Sequence, residues 1–181
     1  MADPLPGLNK PIYQGAIGGI LARVSKEFTR PSDTTAYAAN DVVSNSTSAT
    51  TLIVLTGAAH IVGGGGYITG IRLATDKKSI TPRFRVHFYN ASTPTVAVDN
   101  AAMKRLYVDE SLLVARYDLA AMTTPADTTN STLSEIYDAT MRLPFVCAST
   151  DKDLYALLET LDAVTPASAE KLTLTIWVDQ N

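Results

Sequence analysis

The sequence predicts an all-β fold: an antiparallel β-sandwich or jelly roll of about eight strands, with an extended N-terminal arm and one short helix. Three observations lead there. Short runs of β-branched and aromatic residues recur along the chain, separated by clusters of Gly, Pro, Asn, Asp and Ser. One run, residues 83–89, alternates strictly, with Phe84, Val86 and Phe88 on one face and Arg83, Arg85, His87 and Tyr89 on the other. Charged residues are only 18% of the chain, below the usual ~25%. Thr, Ser and Ala fill the gap, which suits sheet surfaces and surfaces that partners cover. A chain of 181 residues fits one domain, here residues 29–181, preceded by an arm over residues 1–28.

The arm opens with Pro4, Pro6 and Pro11, which block both helix and central strand. Gly15, Gly18 and Gly19 come next. Apolar residues recur at Leu5, Leu8, Ile12, Tyr13, Ile17, Ile20 and Leu21, where a solvated tail would lack them. These seven are the expected partner contacts; packing on the chain's own domain is the alternative. Asp41 before Val42-Val43 marks a strand start. Residues 51–56 are a continuous β-branched run, a buried strand. The four glycines at 63–66 read as a flexible connection. Residues 67–74 alternate, with Ile68, Gly70 and Arg72 on one face and Tyr67, Thr69, Ile71 and Leu73 on the other. The 83–89 strand should be half buried, its His87 face wet or partner-facing.

Residues 100–108 have helical composition, with Asp99 as the N-cap. Strands are expected over 111–117 and over 140–146, where Pro144 points to an edge or a bulge. A Thr/Asn/Asp/Pro loop separates them at 123–132. Residues 154–161 could be helix or strand, and their neighbours favour strand. After a loop at 165–170, residues 172–178 close the fold, with Leu172, Leu174, Ile176 and Val178 on one face.

The net charge is −3 and no Lys/Arg run exists. Nucleic-acid binding and a polybasic membrane tether are therefore not expected, since both need clustered cations. Residues 15–24 are too short to span a bilayer. The one cysteine, Cys147, comes after Phe145-Val146 and reads as a buried small apolar residue. His60 and His87 lack metal spacing, and no cofactor or metal is expected. His60-Ile-Val-Gly-Gly-Gly-Gly lacks the Gly-x-Ser-x-Gly partner that an oxyanion loop requires. Tyr67-Ile68-Thr69, directly after it, reads as strand rather than phosphate-binding helix. Asp151 and Asp153 read as a solvated turn. No catalytic constellation emerges, so a non-enzymatic protein is expected. Tyr67, Tyr89, Tyr107 and Trp177 could stack on sugars, which keeps a glycan- or receptor-binding module as the alternative.

The stretch Phe28-Thr-Arg-Pro-Ser-Asp-Thr-Thr-Ala-Tyr37-Ala-Ala-Asn-Asp41-Val-Val43 resembles a phrase of tailed-bacteriophage structural proteins, "R-P-x-(D/N)-T-x-x-Y-x-x-(G/N)-D-V-(V/I)". Three later stretches resemble the same group in order. They are Gly66-Tyr-Ile-Thr-Gly-Ile-Arg-Leu73; Phe84-Arg-Val-His-Phe-Tyr-Asn90 with Pro94-Thr95 and Asp99-Asn100-Ala101; and Tyr155-Ala-Leu-Leu158 with Thr165-Pro-Ala-Ser168. The resemblance covers about residues 28–178. It implies a capsid decoration (cement) or minor virion protein with a sandwich or jelly-roll body and no catalytic residues. The partners implied are the major capsid protein and further copies of the chain, as a homodimer or homotrimer. The place implied is the capsid exterior, after assembly in the host cytoplasm. Locally, Arg30-Pro31 should fix an extended backbone, and Asp33 should cap a turn at Thr34-Thr35.

Overall fold

The computed structural model describes residues 19–78, 80–126 and 132–181, which form ten strands in two five-stranded antiparallel sheets. In chain order these are β1 (Ile20–Thr29), β2 (Val42–Val43), β3 (Ile53–Leu55), β4 (Gly65–Thr75), β5 (Phe84–Tyr89), β6 (Leu113–Asp118), β7 (Ser134–Asp138), β8 (Leu143–Val146), β9 (Leu154–Thr160) and β10 (Lys171–Gln180). Sheet one runs β1-β10-β4, with β7 and β8 sharing the far side of β4. Sheet two has β2 and β3 sharing one side of β9, with β5 and then β6 beyond it. The pairings nest: β1 with β10, β2 and β3 with β9, β4 with β7 and β8, β5 with β6. A long antiparallel ribbon rolled up in this way is a jelly roll. Ten segments fill eight strand positions because two positions are split in half.

The core lies between the sheets. Phe84, Val86 and Phe88 of β5 meet Ala156 and Leu158 of β9, and Ile68, Ile71, Leu73, Leu174, Ile176 and Val178 of sheet one complete it. Each large apolar side chain contributes roughly 1.5–3 kcal/mol by leaving water. Cys147 is buried in the same cluster, as expected of a small apolar residue. Burial, with Asp151 and Asp153 nearby, pushes its thiol up to about 11.

A second, smaller core lies on the outer face of sheet two, where Val42, Tyr89, Val96 and Leu157 pack together with Met103 and Leu112. The long connection over residues 90–112 folds back across that face. The expected wet face is therefore covered at His87 and Tyr89, which are 1% and 3% exposed, and open at Arg83 and in part at Arg85. Alternation locates the inward face correctly but says nothing about which loop covers the other.

Four further features depart from the sequence expectations. Residues 20–28 are not arm: β1 pairs with β10 along its full length, and Val24 enters the core with Ala22 and Phe28 packed against it. Residues 100–108 are not helix. A single 3-10 turn spans Tyr107–Leu112, and Asp99 caps nothing helical. So short a segment cannot offset the cost of helix nucleation, and Asp99 is engaged elsewhere. β7 arises between the expected loop at 123–132 and the expected strand at 140–146, where the residue pattern announces no element. Finally, the alternation of β4 breaks. Trp177 pairs with Gly70 and Val178 with Ile68, so Thr69 is a bulge and Ile68 and Ile71 both face the core.

The glycine run is not a plain linker either. Gly63 adopts φ +69°, but Gly65 and Gly66 are the first residues of β4. A Cβ on Gly66 would lie 2.1 Å from the Asp179 carbonyl oxygen. That atom belongs to the central strand β10, which cannot withdraw without losing its ladder. Gly66→Ala is expected to destabilise by about 1–3 kcal/mol, read as a lowered urea midpoint with an unchanged slope. An unchanged midpoint would show that β10 yields freely.

Candidate functional site

Where β1 ends, the chain turns into a buried polar clasp. The Arg30 and Asp99 side chains are 1% and 0% exposed. Arg30 Nη2 donates to Asp99 Oδ2 at 3.1 Å, and Arg30 Nε donates to the Tyr37 hydroxyl. Tyr37 donates to Asp99 Oδ1 at 2.7 Å, and the Ser44 N–H donates to the same oxygen at 2.8 Å. The Arg30 guanidinium also stacks 4.7 Å from the Tyr37 ring centre and donates to the Ala167 carbonyl. Burial works against the Arg30 charge, but Tyr37 and Asp99 outweigh it and raise its pKa further. Burial, then Asp99, pushes the Tyr37 hydroxyl well above its ordinary range. The clasp thus joins a charged guanidinium and a neutral phenol on the Asp99 side chain.

Its second layer is backbone. Asp41 Oδ2 accepts the Ala38 N–H at 2.7 Å. Asn40 and Asn100 adopt φ +70° and +57°, a left-handed conformation that Gly and Asn tolerate best. Asn40 stands at the Gly/Asn position of the resembled phrase, so that alternation has a backbone cause. Asp33 Oδ1 accepts the Thr35 N–H at 3.0 Å, the turn expected from sequence. On the 165–170 loop, Glu170 accepts from Thr75 Oγ1 and from the Ala167 N–H at 3.2 Å. Burial raises the Glu170 carboxyl above its usual range.

A second buried pair sits on sheet two. His87 Nε2 lies 2.6 Å from Glu159 Oε2, and Arg85 approaches the same carboxylate at 3.7 Å. His87 Nδ1 is buried with no hydrogen-bond partner among the described residues. Both side chains of this pair are buried, at 1% and 5% exposed. His60, by contrast, is exposed. Asp151 accepts the Lys152 and Asp153 N–H groups, and Asp153 accepts the Gly57 N–H, so both acids serve turns. Among the described residues no cluster of His, Cys, Asp or Glu could hold a metal, and no helix is long and apolar enough to cross a membrane.

Asp162, just past β9, accepts both the side chain and the backbone N–H of Arg83, at 2.7 and 2.9 Å. The Arg83 side-chain bond, then its backbone bond, pulls the Asp162 carboxyl down to about 2. A folded pKa below the unfolded one stabilises above the ordinary Asp value of about 4. That contribution is lost as pH falls through about 2. In a carboxyl-carbon NMR titration, Asp162 is expected to titrate below the ordinary Asp range and to return toward it in Arg83→Gln. An unmoved midpoint in that variant would assign the shift to something other than Arg83.

Of the seven expected partner contacts, Leu5, Leu8, Ile12, Tyr13 and Ile17 lie outside the described residues. Ile20 and Leu21 begin β1 and are 51% and 70% exposed. They have company. Ile20 pairs with Gln180, Gln180 with Gly66, and Gly65 with Val146. Gln180 also donates to the carbonyls of Gly57 and Ala58, in the loop that carries Ile61 and Val62. Ile61, Val62 and Val146 are each more than half exposed. The end of the sandwich opposite the clasp is therefore an apolar end, which sequence reasoning misses because its members are scattered over residues 20–146.

The four aromatic sugar candidates do not form one platform. Tyr89 is buried and Tyr107 is 94% exposed on the 3-10 turn. Tyr67 and Trp177 share the outer face of sheet one. There Arg142 stacks 4.1 Å from the Tyr67 ring centre, and Tyr137 meets Trp177 edge-on at 5.1 Å.

No protein-family profile matches the chain, and no curated protein does. Among solved structures it is similar to a chain of the Israeli acute paralysis virus full particle heated to 63 degrees. The TM-score is 0.41 at 13% identity, over 99% of this chain and 75% of that one. It is also similar to a chain of Desmodium yellow mottle tymovirus, with TM-score 0.28 at 11% identity, over 98% of this chain and 96% of that one.

Proposed function

We propose that the chain is a structural, non-enzymatic virion protein that decorates the outside of a tailed-phage capsid and stabilises its expanded shell. One observation carries this reading. Three of the four stretches that resemble tailed-phage structural proteins, scattered over residues 30–168, meet in the clasp. Arg30, Tyr37 and Asp41 come from the first, Asp99 and Asn100 from the third, and Ala167 from the last. That separated pieces of the phrase hydrogen-bond to one another supports reading them as one structural motif. The clasp residues saturate one another, which supports a scaffold role over a catalytic one.

In this reading the partners are the major capsid protein and further copies of the chain, and assembly takes place in the host cytoplasm. Binding the expanded shell and not its precursor stabilises the expanded state by mass action. Residues 1–18 tether the module to its neighbours, adding effective concentration to weak contacts. The test is co-sedimentation of the purified chain with undecorated tailed-phage heads, before and after expansion. Saturable binding to expanded heads alone, with raised heat resistance, is expected. Binding to neither form would overturn the reading.

The shared outward face of Tyr67 and Trp177 keeps a glycan-binding module as the second reading. A glycan array would decide it, and loss of any signal in Trp177→Ala would locate the site.

A further inference from the structure

We propose that the apolar end of one copy receives residues 1–18 of a second copy, so that the chain associates head to tail through exchanged N-terminal segments. This deepens the tether element of the functional reading and does not depend on the shell.

The socket comes first. Ile20, Leu21, Ile61, Val62 and Val146 are each 51–70% exposed. The pairings of β1, β10, β4 and β8 bring them to one end of sheet one, with the 56–64 loop lying against Gln180 and Gly64 against Cys147. Exposed large apolar residues scattered singly are ordinary, whereas a gathered set marks a surface that something covers.

The occupant comes from chain length. The described fold begins at Gly19, at this same end, where the backbone lies against the Asp179 side chain. The segment carries five apolar side chains, from Leu5 to Ile17. At full reach it spans about 60 Å. The socket, from β1 across β10 and β4 to β8, is three strand spacings wide, about 14 Å. Four or five residues would cover a copy's own socket. Fully extended, the stretch from Leu5 to Ile17 could span about 40 Å, well past that width. That surplus length is what lets the segment serve the socket of an adjoining copy. The segment and its socket are different surfaces, so the contact is heterologous and closes into a ring where the rotation allows.

The test is sedimentation velocity on the purified chain and two variants: a deletion of residues 1–18, and Ile61→Glu with Val146→Glu. Both substituted positions are exposed, and circular dichroism verifies that each variant keeps the fold. The full chain is expected to sediment as an oligomer and each variant alone as a monomer. Mixed in equal amounts, the variants are expected to give a heterodimer that grows no further, since one supplies only a socket and the other only a segment. The proposal is overturned if either variant keeps the oligomer or if the mixture stays monomeric. It is also overturned if the full chain is monomeric, including the case where hydrogen exchange at residues 61–62 rises on deletion and the segment covers its own socket. Head binding is scored separately: heads bound by a chain that does not self-associate would leave the capsid reading intact and remove this one.

Discussion

Asp99→Ala is expected to destabilise the protein by about 3–5 kcal/mol, the usual cost of leaving one member of a buried ion pair without its partner. Three donors converge on this carboxylate: Arg30, Tyr37 and the Ser44 N–H. Once it is gone, the guanidinium keeps its charge, and the nearest remaining carboxylate, that of Asp33, lies 3.7 Å away at the edge of the clasp. In a domain of this size the loss corresponds to a midpoint lowered by roughly 6–20 °C. Replacing Arg30 by Met as well is expected to recover part of the loss, because the unpaired charge then goes too. Paired thermal and chemical unfolding of the two variants makes the comparison. A single variant within about 0.5 kcal/mol of the parent would show that water reaches Arg30 and that the clasp holds nothing.

Phe88→Ala is expected to cost a similar amount, about 3–5 kcal/mol, for a different reason. The ring is fully buried between the sheets, and its removal leaves a void the surrounding strands cannot collapse into. Tyr107→Ala is the matched control: an aromatic ring 94% exposed on the 3-10 turn, whose loss should stay within about 0.5 kcal/mol. Equilibrium urea unfolding separates the two outcomes. Equal effects would mean that the 90–112 cover, rather than the space between the sheets, dominates stability.

Most strands are legible in the residue pattern alone. Phe84, Val86 and Phe88 announce β5 by alternation, and the leucines and Ile176 of the last segment announce β10. The misses lie where alternation carries no information. The Thr69 bulge changes the phase of β4 from outside the pattern. His87 and Tyr89 read as wet because nothing local says that residues 90–112 fold over them. β1 resembles an arm because glycine and exposed leucine hide Val24, its one buried apolar residue. The clasp is half legible: its phrase stands in the sequence, and Asp33 is recognisable there as a turn cap. Asp99, however, looks like a helix cap, since its true partner Arg30 lies 69 residues away. The apolar end is invisible in sequence, because five residues from three separate stretches of chain become neighbours only once the ribbon has rolled.

The nesting of strands has a consequence for synthesis. β10 follows the other nine strands in sequence, yet it lies inside sheet one, flanked by β1 and β4. While the chain is being made, those two strands face a gap that only residues 171–180 can fill. Sheet one can therefore close only after the codons of β10 are read, and its first strand must wait for a partner about 150 positions downstream. Pairings this distant slow folding and leave strand edges open meanwhile. A chain lacking residues 171–180 should leave both edges unpaired and aggregate, so that only chains carrying β10 reach the correct fold.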